Sequence, residues 1–138
     1  VRPDERKGKD VTYYFSKILN VSFDEAVAKV TEELKKEGFG IMTDIDVKDA
    51  MQKKLNVDFR KYRILGACNP PYSYRALKEE DKIGTMLPCN VIVQETAEGK
   101  VEVAAIDPIA SMQAVRNPAL EGIALEVQGK LKKVIDNL

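Results

Sequence analysis

Two segments of the chain carry apolar side chains at helical spacing along one face and charges elsewhere. In the first, Phe23, Ala26, Val27, Val30 and Leu34 form the stripe, with Asp24, Lys29, Glu32, Lys35 and Lys36 off it. In the second the stripe is Leu120, Ile123, Ala124, Val127, Leu131, Val134 and Ile135. A helix with a single apolar stripe covers something once and faces water on its other sides. Between the two lies a block of short segments rich in β-branched residues. The chain is therefore expected to build a sheet with both long helices on one face, an α+β layer.

The helix boundaries can be read locally. Ser22 stands three residues ahead of Glu25, a capping-box spacing, and Gly38 suits the left-handed position that ends a helix. This predicts a helix over 23–37. Asn117 followed by Pro118 predicts the start of the second long helix.

Strands are expected at Val11–Leu19, 40–45, Lys61–Cys68, Cys89–Thr96 and Lys100–Ile106. The last two read as a hairpin around Ala97, Glu98 and Gly99, with Gly99 at positive φ. In 40–45, Ile41, Thr43 and Ile45 alternate with Met42 and Asp44. The apolar run from Ile64 suggests that the third strand is central. A short helix is expected after Asp46, carrying Val47, Ala50, Met51 and Leu55 on one face and stopping at Asn56. Another is expected over Tyr72–Glu79, with Tyr74 and Leu77 inward. Residues 78–82 read as a solvated turn, and residues 109–116 as loop or short helix. The order is β-α-β(4)-α, with an antiparallel or mixed sheet.

The chain has 138 residues, 22 Lys+Arg against 22 Asp+Glu, and no histidine. That length fits one domain, expected over 11–138. The absence of histidine excludes His-based general bases, Ser-His and Cys-His nucleophile pairs and His-containing metal sites. With two cysteines, one chain cannot supply an all-cysteine zinc site. No cofactor is implied. Zero net charge with interspersed signs leaves no basic footprint for nucleic acid.

No apolar run approaches the ~18 residues of a membrane span. Residues 1–10 carry seven charges and one apolar side chain, Val1, so a loose tail is expected. The chain starts at Val1 rather than Met. A cytoplasmic location is favoured, with an exported or anchored protein as the alternative.

Four short motifs stand out as candidate chemistry: Cys68-Asn69-Pro70, Pro88-Cys89-Asn90, Asp107-Pro108, and the aromatic set Tyr13, Tyr14, Tyr72 and Tyr74. If the third and fourth strands pair antiparallel, the two cysteines approach. A thiol pair is a redox couple, a disulfide or a soft-metal site, and a buried pair is plain packing. Cys68 is expected to be the more buried, because its strand is the more apolar. The asparagines are expected to satisfy nearby backbone. Asp107 is either a turn residue or a lone acid at a cleft rim, and Tyr72 and Tyr74 either pack or frame a pocket mouth. A Gly-rich phosphate loop, a G-x-S-x-G elbow and a C-x-x-C pair are absent.

The run Glu37-Gly38-Phe39-Gly40-Ile41, then ILGACNP at 64–70, LPCNV at 87–91 and Asp107-Pro108, resembles the domain of unknown function 302 family. The similarity extends from about Tyr13 to Leu138 and leaves the charged first decade outside it. It implies a TATA-binding-protein-like fold type and a homodimer, and no activity. The functional expectation is a homodimeric binding or interaction module. The alternatives are a thiol-dependent redox or soft-metal protein using Cys68 and Cys89, and a small-molecule enzyme with a pocket near Asn69, Tyr72 and Asp107.

Overall fold

The computed structural model describes residues 12–138. Strands β1 (Tyr14–Leu19), β2 (Gly40–Asp46), β3 (Tyr62–Cys68), β4 (Cys89–Glu95) and β5 (Val101–Ile106) form one antiparallel sheet of order β1-β5-β4-β3-β2. Five helices punctuate it: α1 (Phe23–Lys36), α2 (Val47–Leu55), α3 (Pro70–Glu79), α4 (Pro108–Ser111) and α5 (Pro118–Asp136). The α+β expectation holds, with an antiparallel sheet. Val11 and the charged tail lie outside the described residues.

Leu65 and Ala67 of β3, Val91 and Val93 of β4, and Val101, Val103 and Ala105 of β5 are all buried. Helix α1 packs on β4 and β5, and α5 packs on β5 and β1. The buried stripes Ala26, Val30, Leu34 and Leu131, Val134 complete this core. Burying each aliphatic side chain contributes about 1.5–3 kcal/mol.

The long helices begin and end by the signals in their sequences. Ser22 Oγ accepts from Glu25 N–H at 3.1 Å. The Glu25 carboxylate takes the Ser22 hydroxyl at 3.3 Å, so the second bond of the capping box differs from the usual one to backbone. At the other end Phe39 N–H donates to Leu34 O and Gly38 N–H to Lys35 O, with Gly38 at φ 89°. This paired closure satisfies two orphan carbonyls and requires the left-handed residue. Asn117 caps α5 by accepting from Ala119 N–H at 3.1 Å, and its amide also donates to Glu79 O at the end of α3.

Several local expectations are corrected. A bulge between Ile41 and Thr43 breaks the alternation of β2. Ile41 pairs with Ala67 on the helix-covered face, whereas Thr43 faces Gly66 and Ile45 faces Ile64 on the other. Strand β3 is interior rather than central, because β4 holds the middle of the sheet. The face of α2 buries none of its residues, and Leu55 is exposed. Helix α3 starts two residues earlier than expected, with Pro70 and Pro71 in its first turn, where a missing N–H costs nothing. Ala76 is its buried residue, while Tyr74 and Leu77 are exposed. The charged run at 78–82 leads into a 3-10 helix, Asp81–Met86, whose Ile83 is fully buried.

Candidate functional site

The ends of β3 and β4 lie side by side, with Ala67 opposite Cys89 and Gly66 opposite Asn90. Chain direction changes at both ends. Asn69 leads from β3 into α3, and a cis Leu87–Pro88 peptide leads into β4. Helix α3 then lies against α5, and α4 also packs on α5. A cavity of about 450 Å³ opens between these elements.

Its walls come from distant parts of the chain. Tyr72, Ser73, Ala76 and Leu77 of α3 line it opposite Leu120, Ile123, Ala124 and Val127 of α5. Phe39, Met42 and Thr43 contribute from β2 and the turn before it. Cys68, Asn69, Pro88 and Cys89 form the part nearest the strand ends. Among the described residues, no charged side chain lines it. Such a volume, with apolar walls and a few polar atoms, has the character of a small-molecule site.

Asn69 is buried, and its Nδ2 donates to Glu37 O at 3.0 Å. The side chain therefore leaves its own helix uncapped and instead satisfies the carbonyl that follows α1. This is the backbone-satisfying role expected of it, reached across 32 residues.

Cys68 Sγ lies 3.2 Å from Ser73 Oγ, and the Ser73 hydroxyl donates to Pro70 O at 3.2 Å. Serine has one hydroxyl proton, and a carbonyl only accepts. The Cys68 thiol is thus the donor to Ser73. Both cysteines are half-buried. Burial pushes the Cys89 thiol up to about 11, and the neighbouring Cys68 adds to the shift. Cys68 therefore does not stand out as the more buried of the two, and Cys89, opposite Ala67, packs against the hydrophobic core. At neutral pH Cys89 is a thiol rather than a thiolate, which suits neither nucleophilic attack nor ready metal ligation.

The structure gathers Cys68, Asn69, Tyr72, Pro88 and Cys89 around one cavity and separates the remaining candidates. Pro70 is exposed in the first turn of α3. Asn90 lies one register position from Cys89 and contributes to a depression on the opposite sheet face. Asp107 Oδ1 accepts from Ile109 N–H at 2.9 Å and from Gln128 Nε2 at 3.0 Å, which caps α4 and ties it to α5. Its neighbour Pro108, not Asp107, reaches the cavity. Tyr74 is exposed, and Tyr13 and Tyr14 lie with Asn90 on the other face. The α5 residues of the cavity were not separable from core in the sequence, because their stripe has the same spacing either way.

Among the described residues, no three Cys, Asp or Glu side chains cluster to hold a metal ion. No helix there is long and apolar enough to cross a membrane.

Comparison with known proteins agrees with the fold. A solved structure described as "uncharacterized conserved protein DUF302 from Bacillus stearothermophilus" superposes with a TM-score of 0.84 at 28% identity, covering 91% of this chain and 98% of that one. No curated protein matches the chain. The family model described as Domain of unknown function DUF302 matches residues 15–138, and the chain belongs to that family.

Proposed function

We propose that this protein is a non-catalytic binding module that takes a neutral, mainly apolar small molecule into the cavity between α3, α5 and the ends of β3 and β4. The observation that carries this reading is the lining, about 450 Å³ of space walled mainly by carbon, with no charged side chain among the described residues. A charged ligand buried there would lose hydration without a countercharge. The polar atoms near the strand ends, Ser73 Oγ and the two sulfurs, suit one hydrogen-bonding group on such a ligand. Catalysis by a thiol is disfavoured by the raised Cys89 thiol, and Asp107 is committed to helix capping.

The module works as a homodimer in this reading. Met42, Ile45, Leu55 and Val57 are exposed along the β2 edge and the α2 segment beside it. Apolar surface on a sheet edge calls for cover, and a second copy supplies it. Duplex DNA is not a partner in this reading, since the net charge is zero.

Titration with Nile red, a neutral apolar dye, tests the proposal. Saturable binding at one dye per chain is expected, with a blue-shifted emission. Leu77→Trp, at the exposed edge of the cavity, should weaken it. A failure of the dye to saturate the wild-type protein would contradict the proposal.

A further inference from the structure

A second depression, of about 380 Å³, adjoins the apolar cavity and is lined from α5 and from the segment that joins α4 to it. Met112, Leu120 and Ala124 line both spaces. Leu120 and Ala124 stand one turn apart on the same face of α5, and both are buried. Met112 caps the end of α4 and packs, half-buried, against the core. An unbranched thioether side chain adapts to irregular space, and the single methyl of Ala124 takes little of it. The junction between the two spaces is thus a yielding part of the wall.

The second space differs from the first in its chemistry. Beside Ile109, Val115 and Leu125 it presents the polar side chains Gln113, Asn117 and Glu121. Asn117 is committed to the protein, since its Oδ1 caps α5 and its Nδ2 donates to Glu79 O. Gln113 and Glu121 are exposed, and among the described residues neither side chain has a hydrogen-bond or ion-pair partner. A carboxamide donates and accepts, whereas a carboxylate only accepts. Together they suit hydroxyl groups, and the carboxylate repels an anion. The joining segment is pinned at both ends, by Gln128 Nε2 donating to Asp107 Oδ1 and by the Asn117 bonds, which holds these walls in place.

We infer that the depression between Gln113 and Glu121 is the second half of the ligand site and takes an uncharged, hydroxylated head group. The inference rests on the proposed binding of an apolar molecule in the main cavity, and it names the class of that molecule, a neutral amphiphile with a hydrocarbon chain. The chain fills the apolar cavity, and the head passes Met112 to lie against Gln113 and Glu121. Such a ligand buries its hydrocarbon and keeps its hydroxyls hydrated or paired, so no polar group loses water without a partner.

Dodecanol and the glycerol monoester of dodecanoic acid are the probes, titrated calorimetrically into the full chain below the concentrations at which they aggregate. Both should bind at one per chain, and the glycerol ester should bind about tenfold more tightly, the gain of one added hydrogen bond. Leu125 lines the second depression alone and is 59% exposed, so Leu125→Trp fills that space without disturbing the core. Leu125→Trp and Gln113→Ala should each bring the ester down to the affinity of the alcohol and leave the alcohol unchanged. An ester that binds no more tightly than the alcohol, or variants that weaken both probes alike, would overturn the inference while the apolar cavity stands. Failure of the alcohol itself to bind would contradict the apolar cavity, and the inference with it.

Discussion

Asn69 Nδ2 donates across 32 residues to the Glu37 carbonyl, at 3.0 Å, and so joins the end of β3 to the end of α1. The same amide lies 3.2 Å from where a Cβ on Gly38 would stand, so the left-handed turn and the asparagine fit each other. Replacement by alanine leaves the partly buried Glu37 carbonyl without its donor. Asn69→Ala is expected to lose about 1–3 kcal/mol of stability in urea unfolding. A loss near zero would mean that the Glu37 carbonyl finds water, and the cavity would then lack this tie.

Gly66 sets the closeness of the neighbouring chains. A Cβ there would stand 2.1 Å from Thr43 Oγ1 and 2.7 Å from Pro88 Cγ. Gly66→Ala should cost about 1–3 kcal/mol through overpacking. Thr43→Ala added to it should recover part of that loss, a non-additivity visible in a double-mutant cycle of thermal unfolding.

The Cys89 thiol gives a pH dependence with a defined sign. Its folded-state pKa of about 11 lies above the ordinary 9.0, so the folded chain holds the proton more tightly than the unfolded one. The stabilisation is complete below about pH 9 and is lost as pH rises toward 11. Cys89→Ala should flatten this alkaline fall in stability. Alkylation of folded Cys89 with iodoacetamide at neutral pH should be much slower than in denaturant. Equal rates would show the thiol to be open to solvent.

The exposed side chains on the β2 edge predict the effect of charge there. Met42→Lys with Ile45→Lys should convert a dimer to a monomer in sedimentation at tens of micromolar, because a stable contact buries more than about 1,000 Å² in total. A wild-type protein that sediments only as monomer would remove the dimer.

What the sequence revealed is mostly what is decided locally. Ser22 with Glu25, Gly38 with Phe39, and Asn117 with Pro118 each act within a few residues, and all three lie at helix ends as read. The nearness of Cys68 and Cys89 was also legible, since both stand at the ends of strands that pair. The bulge after Ile41 was not, because it answers to the pairing with β3 rather than to the alternation in β2. Nor was the fate of Ile83, buried at the end of a charged run by contacts of α3 with the segment after it. Asn69 and Asn90 look alike beside their cysteines, and only the strand register sends them to opposite faces.

Native mass spectrometry of the protein purified under mild conditions from its natural source addresses the apolar cavity most directly. The account predicts a population carrying one small neutral molecule per chain, removed by organic extraction without loss of fold. A bare chain that also carries bound copper or zinc, or the mass loss of a Cys68–Cys89 disulfide, would contradict it and favour thiol chemistry instead.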